Sequence, residues 1–321
     1  VIRRRALLAV GIAAGLAAPA VARAGKPLTL IVAGAPGSAA DQGARAFAPF
    51  LERHLPHAVV WVENRDGDDG LAAFRAVAAA EPDGQALGWV ATPSLTARSI
   101  DRAGTANLLD QLRLVGTVSR EPVAFVSAAD TPLATAQDLV RRSAEDAGAV
   151  PLGTPPAGSP PHLAALRLQA LAGTKLNIVA FPSAAAARQA ALAGNVAAAC
   201  LGLGDALEGL RDGRLAGLGI AAHTHFDAFP DMQLLHDSGL ELYAFIRRGL
   251  AVPRAAPDDV VALYAAALRS VVADPEFVAQ GQSDGFAAEY LDGETWTRRT
   301  RGERAELAEL WRHDPWLASA I

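Results

Sequence analysis

A single cysteine, Cys200, stands in the whole chain. No internal disulfide can form, although an exported protein could have used one. Its surroundings, Val196 to Leu201, are apolar, which predicts a buried structural thiol and not a nucleophile. No spaced Cys/His set of the kind that binds zinc is present. Lysine is nearly missing, with only Lys26 and Lys175, so arginine carries the positive charge. Basic excess is missing too: the formal net charge is −5. That excludes a nucleic-acid binder, which needs a basic surface. It does not exclude an anionic ligand, because a few backbone N–H groups can hold a carboxylate inside an acidic protein. No flexible linker, internal repeat or low-complexity segment stands out beyond the abundant Ala. After the first residues there is no second apolar run of membrane-spanning length.

What is present begins at the N-terminus. Arg3, Arg4 and Arg5 precede an apolar, small-residue stretch from Ala6 to Ala22. Ala22-Arg23-Ala24 then reads as a cleavage site. This order predicts a secretory signal peptide over residues 1–24, cut after Ala24, and hence a periplasmic protein. The paired arginines also fit a twin-Arg signal. Loss of residues 1–24 would remove four arginines and no acid, moving the formal charge from −5 to −9.

The rest of the chain alternates strand and helix patterns. Leu28 to Ala33, Val59 to Val62 and Leu87 to Ala91 read as strands, with helices at Asp41–Leu55 and Ala72–Ala80 between them. The alternation predicts a mainly parallel sheet covered on both faces. Leu114–Val118 and Val123–Val126 read as two further strands. A second set follows: helix 135–147 capped by Thr135, strand 152–154, helix 161–172 capped by Ser159, and strand 178–181. Helix 184–193, strand 196–201, helix 207–212 and strand 215–221 complete it. Long helices are expected at 260–272 and 295–312. Two domains without a linker suggest a chain that crosses between them more than once, making a hinge around a cleft.

Two loops carry the candidate chemistry. Val32-Ala-Gly-Ala-Pro-Gly-Ser-Ala-Ala-Asp41 leads from a strand into a helix, where ligands of open α/β sheets bind. Its small residues admit a ligand to the backbone, and the helix start offers unpaired N–H groups. Thr154-Pro-Pro-Ala-Gly-Ser-Pro-Pro-His162 links another strand and helix in the same way. Facing each other across a cleft, the two loops would clamp a small anion.

Several segments resemble, in order, motifs of the tripartite tricarboxylate transporter receptors, the TctC or Bug-type periplasmic binding proteins. The first loop resembles V-P-F-x-P-G-G-x-x-D. Val62-Glu-Asn-Arg-Asp-Gly-Asp-Asp-Gly70 resembles V-E-N-R-x-G-x-x-G, and Pro82-Asp83-Gly84 matches a P-D-G turn. Ser159 to Ala164 resembles S-x-P-H-L-A, Gly194-Asn195-Val196 resembles G-G-Q-V, and Asp212 to Leu215 resembles A-G-K-L. Gly249 to Pro257 resembles G-L-x-A-P-A-G-T-P, and Asp274-Pro275-Glu276 matches D-P-E. The resemblance implies an α/β, two-domain type II periplasmic-binding-protein fold, each domain a mainly parallel sheet flanked by helices. It implies domain I at 25–121 plus 226–321 and domain II at 122–225. The implied function is that of a monomeric receptor capturing a small carboxylate between its domains for a membrane transporter, without cofactor, metal or catalysis. The ligand would be held by Ala35, Gly37, Ser38, Ala39 and Asp41 from the first loop and by Ala157, Gly158 and Ser159 from the second. Thr92, Ser94 and Ser183 would add hydroxyl groups.

The chain also departs from the family pattern. Ser38-Ala39 replaces Gly-Gly, which adds Cβ atoms, and Pro155, Pro156, Pro160 and Pro161 remove N–H donors. Pro182-Ser183-Ala184-Ala185 replaces P-Y-K-G, and Leu201 replaces an Asp. Arg247, followed by Arg248, replaces an aromatic residue. Either arginine could supply charge lost elsewhere, since guanidinium pairs bidentately with carboxylate. Two rival functions remain open at this point. One is a sensory receptor of the same fold. The other is a secreted hydrolase built on Gly281-Gln-Ser283-Asp-Gly285, which spells G-x-S-x-G but lacks the strand-before-helix context. His223-Thr-His225 lacks a third metal ligand nearby.

Overall fold

Leu28–Val32 is buried along almost its whole length and forms β1, as a central strand of a two-faced sheet should. The computed structural model describes residues 27–317, except positions 103, 147, 149 and 228. The expected signal peptide lies outside the described residues. Helix α1 (Ala39–His54) leads to β2 (Val60–Asn64), α2 (Leu71–Ala78) and β3 (Ala86–Thr92). β1 pairs in parallel with β2 on one side and β3 on the other. Short helices α3 (Ser94–Arg98) and α4 (Leu108–Gln111) then lead into β4 (Leu112–Ala128).

β4 is one strand of 17 residues, not the two expected at Leu114–Val118 and Val123–Val126. Its first part pairs with β9 (Phe245–Pro253) up to Pro122, and its second part pairs with β7 (Ala198–Gly202) and β8 (Leu215–Ile220) from Val123 onward. Pro122 sits at the handover between ladders, where its missing N–H does least harm. β5 (Leu152–Thr154) runs parallel to β6 (Ile178–Ala180) and β7. The strand order is β2-β1-β3-β9-β4-β7-β5-β6, with β8 and β10 (Ala287–Ala288) also on β4. Helices α5 (Ala136–Glu145), α6 (Pro160–Ala172), α7 (Ala184–Leu192) and α8 (Leu203–Arg211) cover the second half of this sheet. Their starts are set locally. Thr135 and Asp138 form a capping box on α5, and Ser159 and Ser183 cap α6 and α7.

Each half has apolar clusters. Leu30, Phe47, Trp89, Tyr264 and Phe277 pack between the first half-sheet, α1, α9 (Asp258–Ala273) and α10 (Pro275–Asp284). Phe125, Leu152 and Leu168 centre one cluster of the second half, and Ala199, Leu207 and Leu215 another. Met232, Leu234, Leu235, Leu240, Leu242 and Ala244 pack into these second-half clusters. Packing therefore places the return crossing at the start of β9, near Phe245, and not at residue 226. A further cluster joins the halves: Ala97 of α3, Leu163 and Leu166 of α6, Leu307 of α11 (Gly293–His313), and Trp316. Among the described residues no helix is long and apolar enough to cross a membrane.

Candidate ligand-binding cleft

The first loop is built to present α1. Ser38 caps the helix, its Oγ accepting from the Asp41 N–H at 3.3 Å. Asp41 is buried and folds back to accept from the Gly37 N–H at 2.8 Å and from Arg45 Nε at 2.9 Å. Burial pushes the Asp41 carboxyl up, but the Arg45 and Gly37 hydrogen bonds outweigh it and hold the carboxyl below its ordinary range. Asn64 closes the loop by donating to the Gly34 carbonyl at 3.0 Å while accepting from Arg45 at 3.1 Å. Gly37 needs its glycine, with φ of 82°. Asp41 and Gly37 are thus spent on loop geometry. The N–H groups of Ala35, Ala39 and Ala40 meet no acceptor among the described residues, and Ala35 and Ala39 are exposed.

The second loop is closed by protein. Ser159 caps α6 through the His162 N–H, and its own N–H bonds to the Pro156 carbonyl at 2.9 Å. Gly158 is buried, and a Cβ there would overlap the guanidinium of Arg98. Arg98 comes from α3 in the other half. It donates to the Ala157 carbonyl at 3.3 Å and to Asp69 at 3.1 Å, and it pairs with Asp101 at 2.5 Å. Trp316 Nε1 also donates to Asp101, at 2.6 Å. The cradle expected to face a ligand at Gly158 is therefore filled by a side chain of this chain. His162 lies behind it, its Nδ1 2.9 Å from Thr154 Oγ1. Burial, helped by the Arg98 charge, lowers the His162 pKa to about 4.

The open part of the cleft lies on the other face of the crossing strands. A cavity of about 720 Å³ is lined by Ala39, Gln42 and Gly43 of α1, by Ser119, Glu121 and Arg248 of the crossing strands, and by residues of α7, α8 and α10. Trp89 and Phe47, stacked with ring centroids 4.8 Å apart, form part of its wall. Glu121 is central. Its Oε2 accepts from Arg248 Nη1 at 2.5 Å and its Oε1 from the Gly204 N–H at 2.9 Å, in the first turn of α8. A carboxylate at that helix start complements the helix dipole. Arg188 of α7 donates to the Asp205 carbonyl at 2.7 Å.

Of the residues expected to hold a ligand, Ala39 alone lines this cavity. Arg247 points to the opposite face, pairing with Glu289 at 3.1 Å and lying over the Phe245 ring, while Arg248 is the arginine that reaches the cavity. The register explains the split, since neighbours on a strand face opposite ways. Thr92 is buried and accepts from Trp296 Nε1 at 3.1 Å. Ser94 opens α3 and is half-buried, and Ser183 is spent on capping α7. Sequence reasoning missed Arg98, Glu121, Arg188 and Asp205. Only Glu121 carried a signal: a lone acid between two apolar strand runs. Cys200 is buried as expected, its thiol 3.1 Å from the Pro161 carbonyl and pushed up by burial. Ser283 sits inside α10, so the G-x-S-x-G sequence forms a helix end and no nucleophile elbow. His223 stacks on Tyr243, and among the described residues no group of three metal-ligating side chains occurs.

Two α/β halves, a strand pair crossing between them and a cleft alongside make up a type II periplasmic-binding-protein fold. The chain belongs to the tripartite tricarboxylate transporter family receptors, the TctC family, whose model matches residues 44–305. It is similar to a UPF0065 protein of Bordetella bronchiseptica, 28% identical over 89% of this chain and 84% of that protein. In fold it resembles MatC from Rhodopseudomonas palustris, solved with bound malate, at a TM-score of 0.78 and 22% identity, covering 89% of this chain and 98% of that one. It also resembles R. palustris Rpa4515, solved with adipate, at a TM-score of 0.81 and 18% identity, covering 90% and 97%.

Proposed function

We propose that the protein is a periplasmic receptor that captures a small carboxylate in the cleft between its halves and hands it, chemically unchanged, to a membrane transporter. The observation that carries this reading is the pairing of an unspent helix start with a cavity. The Ala39 N–H has no protein acceptor among the described residues, and Ala39 lines the cavity of about 720 Å³ between the halves. That volume suits a small metabolite and several waters. Family membership and the malate and adipate held by the two neighbours of the same fold agree with a carboxylate.

Ala39 also offers a clean test. It is the first residue of α1, and Ser38 before it has φ −68° and ψ 161°. Proline is well tolerated at a first helical position, and this backbone suits a residue that precedes proline. Ala39→Pro therefore removes the donor and spares the helix. A hydrogen bond to a charged acceptor contributes about 1.5–3 kcal/mol, roughly 10- to 150-fold in Kd. Carboxylate affinity should fall by that much while the melting temperature of the unliganded protein stays within about 1 °C of wild type. Unchanged affinity would remove the α1 terminus from the site.

A further inference from the structure

The cavity wall is acidic. Glu121, Asp205, Glu208, Asp212 and Asp284 face it against only Arg188, Arg211 and Arg248. Most of these charges are spent. Glu121 holds Arg248 and the Gly204 N–H. Glu208 and Asp212 both pair with Arg214, and Asp284 accepts from Gln280. Arg188 and Arg211 donate to the backbone carbonyls of Asp205 and Ser283. Asp205 is different: the residue is half-buried and lines the cavity, and its carboxylate has no hydrogen-bond or ion-pair partner among the described residues. A partly buried carboxylate without a partner is costly unless a cation or donor meets it. A wall of this sign also disfavours a ligand that carries only negative charge.

We propose that the ligand carries a protonated amine as well as a carboxylate, the carboxylate meeting the N-terminus of α1 and the amine meeting Asp205. This assignment rests on the receptor reading above and narrows its ligand class to amino-bearing carboxylates. The groups facing Asp205 fit it. Burial and the Glu121 charge of β4 push the Asp205 carboxyl up to about 7, against the opposing pull of Arg248 on β9 and Arg188 on α7. A bound ammonium would supply the counter-charge that these arginines, engaged elsewhere, leave incomplete. Ligand affinity should then decline as pH falls through about 7 and Asp205 takes up a proton.

The test compares matched pairs by titration calorimetry: aspartate with succinate, 2-aminoadipate with adipate, and phenylalanine with 3-phenylpropionate. In at least one pair the amino-bearing member should bind tenfold or more tightly than its partner, and several-fold more weakly at pH 6 than at pH 8. Asp205→Asn should cost that member tenfold or more and change its deaminated partner by less than threefold. Deaminated members binding as tightly as their partners would overturn the assignment while leaving the receptor reading intact, as would an Asp205→Asn variant with unchanged affinity for the amine. Failure of every compound in all three pairs would count against both.

Discussion

Replacing Arg98 with alanine should destabilise the protein more than any surface change. The side chain is 3% exposed and its partner Asp101 is 0% exposed. Arg98 meets Asp69, Asp101 and the Ala157 carbonyl, so one guanidinium ties α3 to the loop before α6. Its loss leaves Asp101 with the Trp316 indole alone and with one carboxylate oxygen, Oδ1, already lacking a partner. Breaking a buried pair by removing one side costs about 3–5 kcal/mol. Here the lower end applies, because burial already raises the Asp101 carboxyl and lets it take up a proton. A cost of about 3 kcal/mol corresponds to roughly 6 °C in melting temperature for a chain of this size. Asp101→Asn in the Arg98→Ala background removes the orphaned charge and should recover about half of the loss. Calorimetric melts and urea titrations of the single and double variants measure both quantities. A cost below about 1 kcal/mol for Arg98→Ala, or no recovery in the double variant, would refute the view that Arg98 is a structural tie between the halves.

Two further predictions concern stability. His162, lowered to about 4 in the fold against an ordinary value near 6.5, stays neutral while the unfolded chain takes up a proton. Stability present above pH 6.5 is therefore lost as pH falls toward 4, by about 3 kcal/mol from this residue. Urea midpoints at pH 7, 5.5 and 4 should show His162→Gln converging on wild type, or passing it, as pH falls; a constant gap would contradict the linkage. Gly249 in β9 lies where β4 passes so closely that a Cβ would overlap the Gly116 carbonyl and Thr117 Cα. Gly249→Ala should cost about 2 kcal/mol or more, whereas Gly302→Ala, in open space within α11, should stabilise by roughly 0.5–1 kcal/mol. Equal effects in thermal melts would show that the crossing can yield.

What could be read from the sequence was local. Thr135 and Ser159 announced their helices because a cap needs only its own three or four residues. The first loop was placed correctly between β1 and α1, and the motif order pointed to the family. The continuity of the crossing strand was not legible. Glu121-Pro122 looks like a break, and only the exchange of partner strands makes β4 continuous. The site's own contacts were hidden by distance along the chain: Glu121 meets Arg248 across 127 positions, and Arg98 meets Ala157 across 59. No local pattern announces such pairs. Arg247 and Arg248 were equivalent as letters, and the pairing register alone sends one to Glu289 and the other to the cavity.

The central claim is capture of a small carboxylate at the α1 terminus without chemical change. Equilibrium dialysis of wild type and Ala39→Pro against the paired carboxylates, followed by analysis of the recovered ligand, tests it most directly. Wild type should saturate at one ligand per chain and return the ligand intact, and Ala39→Pro should bind it at least tenfold more weakly. Conversion of the ligand, or wild-type affinity in the variant, would contradict that claim.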